Sequence, residues 1–260
     1  MLQFPLMRRF FKQFLYLIFY LAILSGLVFL IWERFFRPAP SCTNGYKDSG
    51  EEEIDCGGSC EPCALRHLKP IKTNQAELIY GGEDYKATIF EVINPNLDWG
   101  ADRFDYKLDF INADGSIAGS AIGDSFIYPG EVKKIVVVGL DFDTRNVIKT
   151  NLSVDGFYWK NREVFSIPKT GLREVKYNFD DKTKRVLVTG IFTNEEPLPL
   201  SYVNIVVSIK DSLGLSVGGS ETILENVSEF GERDFLITMP ISDFSTLSRE
   251  SIKVFASSKK

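Results

Sequence analysis

Tyr85–Asn94 reads YKATIFEVIN, and Arg185–Asn194 reads RVLVTGIFTN. Both runs are rich in β-branched and aromatic residues at alternating positions, as a strand with one packed face requires. Both end on asparagine, and Asn94 and Asn194 stand 100 positions apart. The first continues into Asn94-Pro95-Asn96, a turn signal.

Working outward, the recurrence extends over the whole C-terminal part. In the first copy, Phe104–Ile111 alternates and leads into the turn Ala113-Asp114-Gly115. Ser116–Ile127 follows, then Tyr128-Pro129-Gly130 with the signature of a type II turn, the strand Lys133–Val138 and a closing strand Leu152–Trp159. In the second copy, Val203–Lys210, Asp211–Gly214, Gly231-Glu232, Phe235–Met239 and Ser251–Ser257 fall at offsets of 99 to 101 (Phe104 to Val203, Gly130 to Gly231). An offset held this steadily implies a tandem duplication. Short strands with turns between them predict an antiparallel β-sandwich in each copy. The boundaries expected are 65–165 and 166–260, with Pro168 and Lys169-Thr170-Gly171 as a short linker. Neither copy has spaced cysteines, so each must hold by its packed faces.

VNIVVSIKDSLG, residues 203–214, resembles the FxLYD-type immunoglobulin-like domain, with Lys210 where that family often has Tyr. FDYKLDFINADG, residues 104–115, is the more distant match, with extra residues between strand and turn. The resemblance implies a non-enzymatic surface domain and names no ligand.

All four cysteines lie upstream, Cys42, Cys56, Cys60 and Cys63, spaced C-x13-C-x3-C-x2-C. Four cysteines in so short a stretch most simply make two disulfides, and three pairings are open. Gly50, Gly57 and Gly58 supply the permissive backbone that a small stapled loop needs. A zinc site through Cys60, Cys63 and His67 is the rival, but Cys42 and Cys56 do not form a second knuckle. The DCGGSCEPC half is similar to a cysteine module of secreted and surface proteins, where it is an extracellular accessory. Asp48, Glu51, Glu53 and Asp55 crowd the same loop and are candidate oxygen ligands for calcium, although their spacing is not that of an EF-hand.

Further upstream, Phe14–Trp32 is FLYLIFYLAILSGLVFLIW, nineteen residues without a charge, thirteen of them Leu, Ile, Phe or Val. As a helix the run covers roughly 28 Å, the thickness of a bilayer's hydrocarbon core. Lipid is therefore its expected partner. The apolar run is longer than a signal peptide's and no small-residue cleavage site follows it, so a retained anchor over 13–33 is expected. Arg8, Arg9 and Lys12 before it, against Arg34 and Arg37 after it, favour a cytosolic tail over 1–12. Disulfides in the stalk, 34–64, place the remainder in an oxidising compartment and agree with that orientation.

The expected fold is thus mainly β: a transmembrane helix, a small disulfide-rich module and two tandem immunoglobulin-like sandwiches. A net charge of −5 without a basic run argues against nucleic acid as a partner. The chain has one histidine, His67. With every cysteine expected in a bridge, the usual nucleophile–base pairs cannot be assembled, and no cofactor motif is present. Asp180-Asp181 reads as a turn, and Gly218-Gly219 as an interstrand segment rather than a phosphate loop. Trp99, read on a loop at one end of the first domain, is the candidate ligand-stacking residue. Phe157 and Trp159 should face the core, with Tyr158 outward. The expected function is a non-catalytic binding or adaptor module facing another envelope protein or a surface polymer. The alternative is a structural subunit of a membrane complex.

Overall fold

The computed structural model describes residues 4–36, 39–81, 85–241, 247 and 251–260. The chain divides into two compact units, Met1–His67 and Leu68–Lys260.

In the first unit, α1 (Phe4–Phe35) contains the whole apolar run, and its stretch Phe11–Phe35 is long and apolar enough to cross a membrane. Its large side chains from Phe11 on are exposed. Ser25 returns its hydroxyl to the Ala22 carbonyl at 2.9 Å, so the run's one serine is satisfied within the helix. The cysteines pair Cys42–Cys60 and Cys56–Cys63, and a short 3₁₀ turn spans Cys63–His67. Gly58 has φ +63°, and a Cβ there would overlap the Gly50 carbonyl oxygen, so the crossing of these loops requires glycine.

The second unit is built from antiparallel strands. Its first half contains β1 (Lys72–Thr73), β2 (Glu77–Tyr80), β3 (Lys86–Ile93), β4 (Trp99–Asn112), β5 (Ile117–Ile127), β6 (Val132–Val138), β7 (Val147–Asp155) and β8 (Trp159–Asn161). One sheet has β3 between β6 and the pair β1, β2; the other has β4 between β5 and the pair β7, β8. Phe90, Val92 and Ile135 of the first sheet meet Phe104, Leu108 and Phe110 of the second in one core. The second half contains β9 (Thr170–Asp180), β10 (Arg185–Asn194), β11 (Leu200–Lys210), β12 (Ser216–Val227), β13 (Glu232–Pro240) and β14 (Ile252–Lys259). Its sheets run β13-β10-β9 and β12-β11-β14, and Val186, Val188 and Met239 pack against Val203, Ile205 and Val207. Each such aliphatic or aromatic side chain stabilises its sandwich by about 1.5–3 kcal/mol.

The two asparagines that end the matched strands do the same work. Asn94 donates its side-chain amide to the carbonyls of Trp99 (2.6 Å) and Tyr128 (3.0 Å), and accepts the Asn96 N–H. Asn194 donates to Leu198 (2.9 Å) and Ser228 (2.8 Å), and accepts the Glu196 N–H. In each half this buried amide ties the turn after one strand to the turn before another, satisfying carbonyls that burial would otherwise leave bare.

Several elements differ from the sequence reading. β4 begins at Trp99 rather than Phe104, because β8 supplies a partner for its first residues, Trp99 facing Asn161. The expected closing strand is two pieces, β7 and β8, separated by Gly156 at φ +64°. Phe157 therefore lies outside a strand, yet it still stacks on Phe104 and Trp159, while Tyr158 is exposed. β9 starts at Thr170, inside the expected linker, and alternates outward-facing and half-buried residues along the edge of its sheet.

Candidate functional site

The outer face of the sheet β3–β6 lies on the outer face of the sheet β11–β12–β14. Along β3, Phe90 and Val92 point into the first core, which leaves Ala87 and Ile89 on the opposite face; along β6, Val136 does the same. These three join Ile79 and meet Val206, whose neighbours Ile205 and Val207 belong to the second core, with Phe255 packed alongside. Strands buried on both faces lose their polar side. Gly218 and Gly219, read as lying between strands, are inside β12, and Gly219 faces this seam. A Cβ on Gly219 would sit 2.7 Å from Ile79 Cδ1, so the sheets approach here because the residue has no side chain. Tyr85 donates its hydroxyl to the Gly219 carbonyl across the seam.

At one end the seam is closed. Phe126, Tyr128 and Phe165 cluster with Tyr202 of the second half, and the Tyr128 hydroxyl donates to the Ser258 carbonyl at 2.8 Å. Asp102 holds the ammonium of Lys160 and that of Lys259, each at 2.6 Å. Lys133, 3 % exposed, lies under this cover with its Nζ 3.2 Å from the Phe126 ring centre and no hydrogen-bond partner. Burial pushes its amine down to about 8, while Glu131 works the other way. Between the ends, Glu221 accepts a hydrogen bond from Asn204 at 2.8 Å; its burial pushes the carboxyl above the usual range, against the pull of that bond.

At the other end the two sheets part into a cleft of about 550 Å³ with a recess of about 80 Å³ behind it. One wall is Glu91 and Lys134 of the first half, and the other is Lys210, Asp211 and Lys253 of the second. Phe255, half-buried, forms an aromatic surface between them, 5.2 Å from the Lys134 ammonium. Glu91 is held by Lys134 and by the Asn74 amide. Ser216, in the recess, has a buried hydroxyl without a partner. The site offers ammonium donors, hydroxyls and one aromatic face drawn from both halves.

The residues singled out in the sequence lie elsewhere. Asp48 accepts from the Ser41 N–H (2.9 Å) and the Asn44 amide (2.8 Å). Glu51 accepts from the N–H groups of Asp48 (2.9 Å) and Asp55 (3.2 Å), and Asp55 from that of Gly45. These three carboxylates are committed to holding the module's backbone. Glu53 stands within 4.8 Å of the Cys56 and Cys63 sulfurs, and 4.0 Å from His67. Those sulfurs are bonded to each other, as are Cys42 and Cys60, so no thiolate is on offer to a metal. Trp99 is half-buried at the start of β4, outside the cleft, while Leu97 and Asp98 before it are exposed. Asp180 caps its turn by accepting from Lys182 N–H and Thr183 N–H.

No family model matches the chain, so the likeness to the FxLYD-type domain and to the cysteine module stands on the motifs alone. No curated protein matches it. Among solved structures it is similar to the crystal structure of red sea bream transglutaminase, at 10% identity and a TM-score of 0.23. That alignment takes in 74% of this chain and 31% of the other, so the chain spans about a third of that protein's length. A likeness of that size carries no argument about fold or chemistry.

Proposed function

We propose that the chain is a membrane-anchored, non-catalytic binding module. In this reading α1 is retained as a single span, the N-terminal tail is cytosolic, and both β halves lie outside. The disulfides support that side, since they persist in an oxidising compartment. The two halves are read as immunoglobulin-like copies of one duplicated unit; the matched strand orders and the paired roles of Asn94 and Asn194 support this. The observation that carries the reading is the cleft whose walls come from both halves. Its donors are spread around an aromatic face for recognition, and no thiolate or histidine stands among them to act as nucleophile or base.

A second reading, a structural subunit of a membrane complex, draws on α1. Nothing lies within 4 Å of a Cβ position at Gly26, so a neighbouring helix has room to approach beside Ser25. Cross-linking on intact cells, with the full chain captured and its neighbours identified by mass spectrometry, separates the two. Links from the β halves to a distinct protein or polymer support the binding module. Links through α1 alone to a fixed set of membrane subunits replace it with the structural one.

A further inference from the structure

We propose that the cleft at the open end of the seam binds a carboxylate-bearing sugar. This deepens the binding-module reading and rests on it. The volume, about 550 Å³, falls within the range of about 300–1,000 Å³ usual for ligand sites. The walls carry three carboxylates, Glu77, Glu91 and Asp211, against three ammoniums, Lys134, Lys210 and Lys253, so the donors left over, and not net charge, select the ligand. Glu91 is engaged by Lys134 and Asn74; Glu77, in the recess, accepts the Ser216 N–H at 3.1 Å and lies 3.8 Å from Lys210. Asp211 Oδ1 accepts the N–H groups of Leu213 and Leu215, both at 2.9 Å, which commits it to its turn. The acids are therefore engaged within the fold, whereas each ammonium keeps more donors than one carboxylate uses.

Lys253 stands opposite Ser208 in the β11–β14 register, and Lys210 follows two residues along β11 on the same face. Diagonal neighbours on one face lie about 7–8 Å apart, within reach of one another for side chains as long as lysine. An anion seated between them gains charge-assisted hydrogen bonds from both. Phe255, opposite Val206 in the same register, presents a ring on which the C–H face of a sugar can lie. A bare inorganic anion would use the lysines and leave the ring idle. A uronic acid residue uses both.

The test is calorimetric titration of the full-length protein in detergent micelles with trigalacturonate and with its fully methyl-esterified form. The expected result is binding of the acid and at least tenfold weaker binding of the ester. In the K210A/K253A variant, checked for an unchanged melting temperature, the acid should bind at least tenfold more weakly, while K149A, a lysine away from the cleft, should behave as wild type. Equal binding of acid and ester, equal binding by the double variant, or no heat at millimolar sugar overturns the assignment. Repeating the cell cross-linking with K210A/K253A tells the two failures apart. A partner still captured outside α1, with no uronate binding, ends the sugar site and leaves the binding module standing; no such partner for wild type ends both.

Discussion

The carboxylate of Asp102, on β4 of the first half, lies 2.6 Å from the ammonium of Lys259, on the last strand of the second. Partial desolvation works against its ionisation, but the bonds from Lys160 and Lys259 outweigh it and hold the carboxyl below the usual range. A carboxyl depressed in the folded state contributes stability above its unfolded value, about 3.9, and loses it as pH falls through the folded one. The two halves are thus joined by charge as well as by apolar contact.

A double-mutant cycle on D102N and K259M should return a coupling of about 1 kcal/mol at pH 7, the scale of a partly exposed ion pair. The coupling should fall away as pH drops below the usual carboxylate range and Asp102 takes up its proton. A value at pH 7 indistinguishable from zero would mean that the pair only decorates the seam.

Lys133 is the opposite case, a charge that the fold carries at a cost. With its amine pushed down to about 8 and no hydrogen-bond partner, the folded protein binds this proton less tightly than the unfolded chain does. Between about pH 8 and about 10.5 the unfolded state therefore holds more of the proton, and stability from this group rises with pH. Lys133→Met should raise stability by about 1–3 kcal/mol at pH 7, with the lost attraction to the Phe126 ring as an offset. Urea midpoints at pH 7 and pH 10 check this: the advantage of the variant should shrink at the higher pH. An advantage that stays constant would refute the buried-charge account.

How much of this was legible depends on what each side chain faces. The strands and both cores follow from alternation, because a core face must be apolar whatever lies on the other side. The disulfides follow from cysteine density, but their pairing does not, since all three pairings close short loops. The seam looks like a solvent face wherever it is polar. Its signal was the near-continuous apolar runs ATIF at 87–90 and IVVSI at 205–209, too apolar for strands with one wet side. Nothing in the sequence marks Lys134, Lys210 and Lys253 as a group, because the cleft exists only once two distant segments are stacked. Lys133 and Lys134 are adjacent, and only the pleat decides which of them is buried.

Glu221 gives a third test. Its carboxyl is raised chiefly by burial, so the folded state prefers the protonated form. The stability this contributes is complete below the unfolded value, about 4.3, and is lost as pH rises through the folded one. Glu221→Gln keeps an oxygen for the Asn204 amide and removes the charge. It should stabilise the protein by about 1 kcal/mol at pH 7.5 and by little at pH 4. Denaturant midpoints of the two proteins at both pH values decide it, and a variant that is weaker at pH 7.5 would contradict the argument.

In the cysteine module, Gly58→Ala meets both a left-handed backbone and the Gly50 carbonyl. The expected outcome is loss of native Cys42–Cys60 and Cys56–Cys63 pairing, read by peptide mapping without reduction, with scrambled or free thiols in their place. A variant that maps like wild type would show that the crossing tolerates a side chain.

The seam itself sets how the β unit unfolds. Ile79, Ala87, Ile89, Val136 and Val206 are each no more than 5 % exposed, and they cluster across the seam rather than within either core. Their combined contribution, on the order of 5 kcal/mol, is comparable to the whole stability of a small domain. Neither half should therefore open alone, and scanning calorimetry of the full chain should show Leu68–Lys260 melting in one transition. Val206→Asp places an unpaired carboxylate 3 % exposed in the folded seam, yet on a separated second half the same position would face water. The variant should part the halves while sparing their cores, so the single transition should split into two, both lower than the original. Two transitions already present in the wild type, unmoved by Val206→Asp, would show that the halves fold independently and that their stacking adds little.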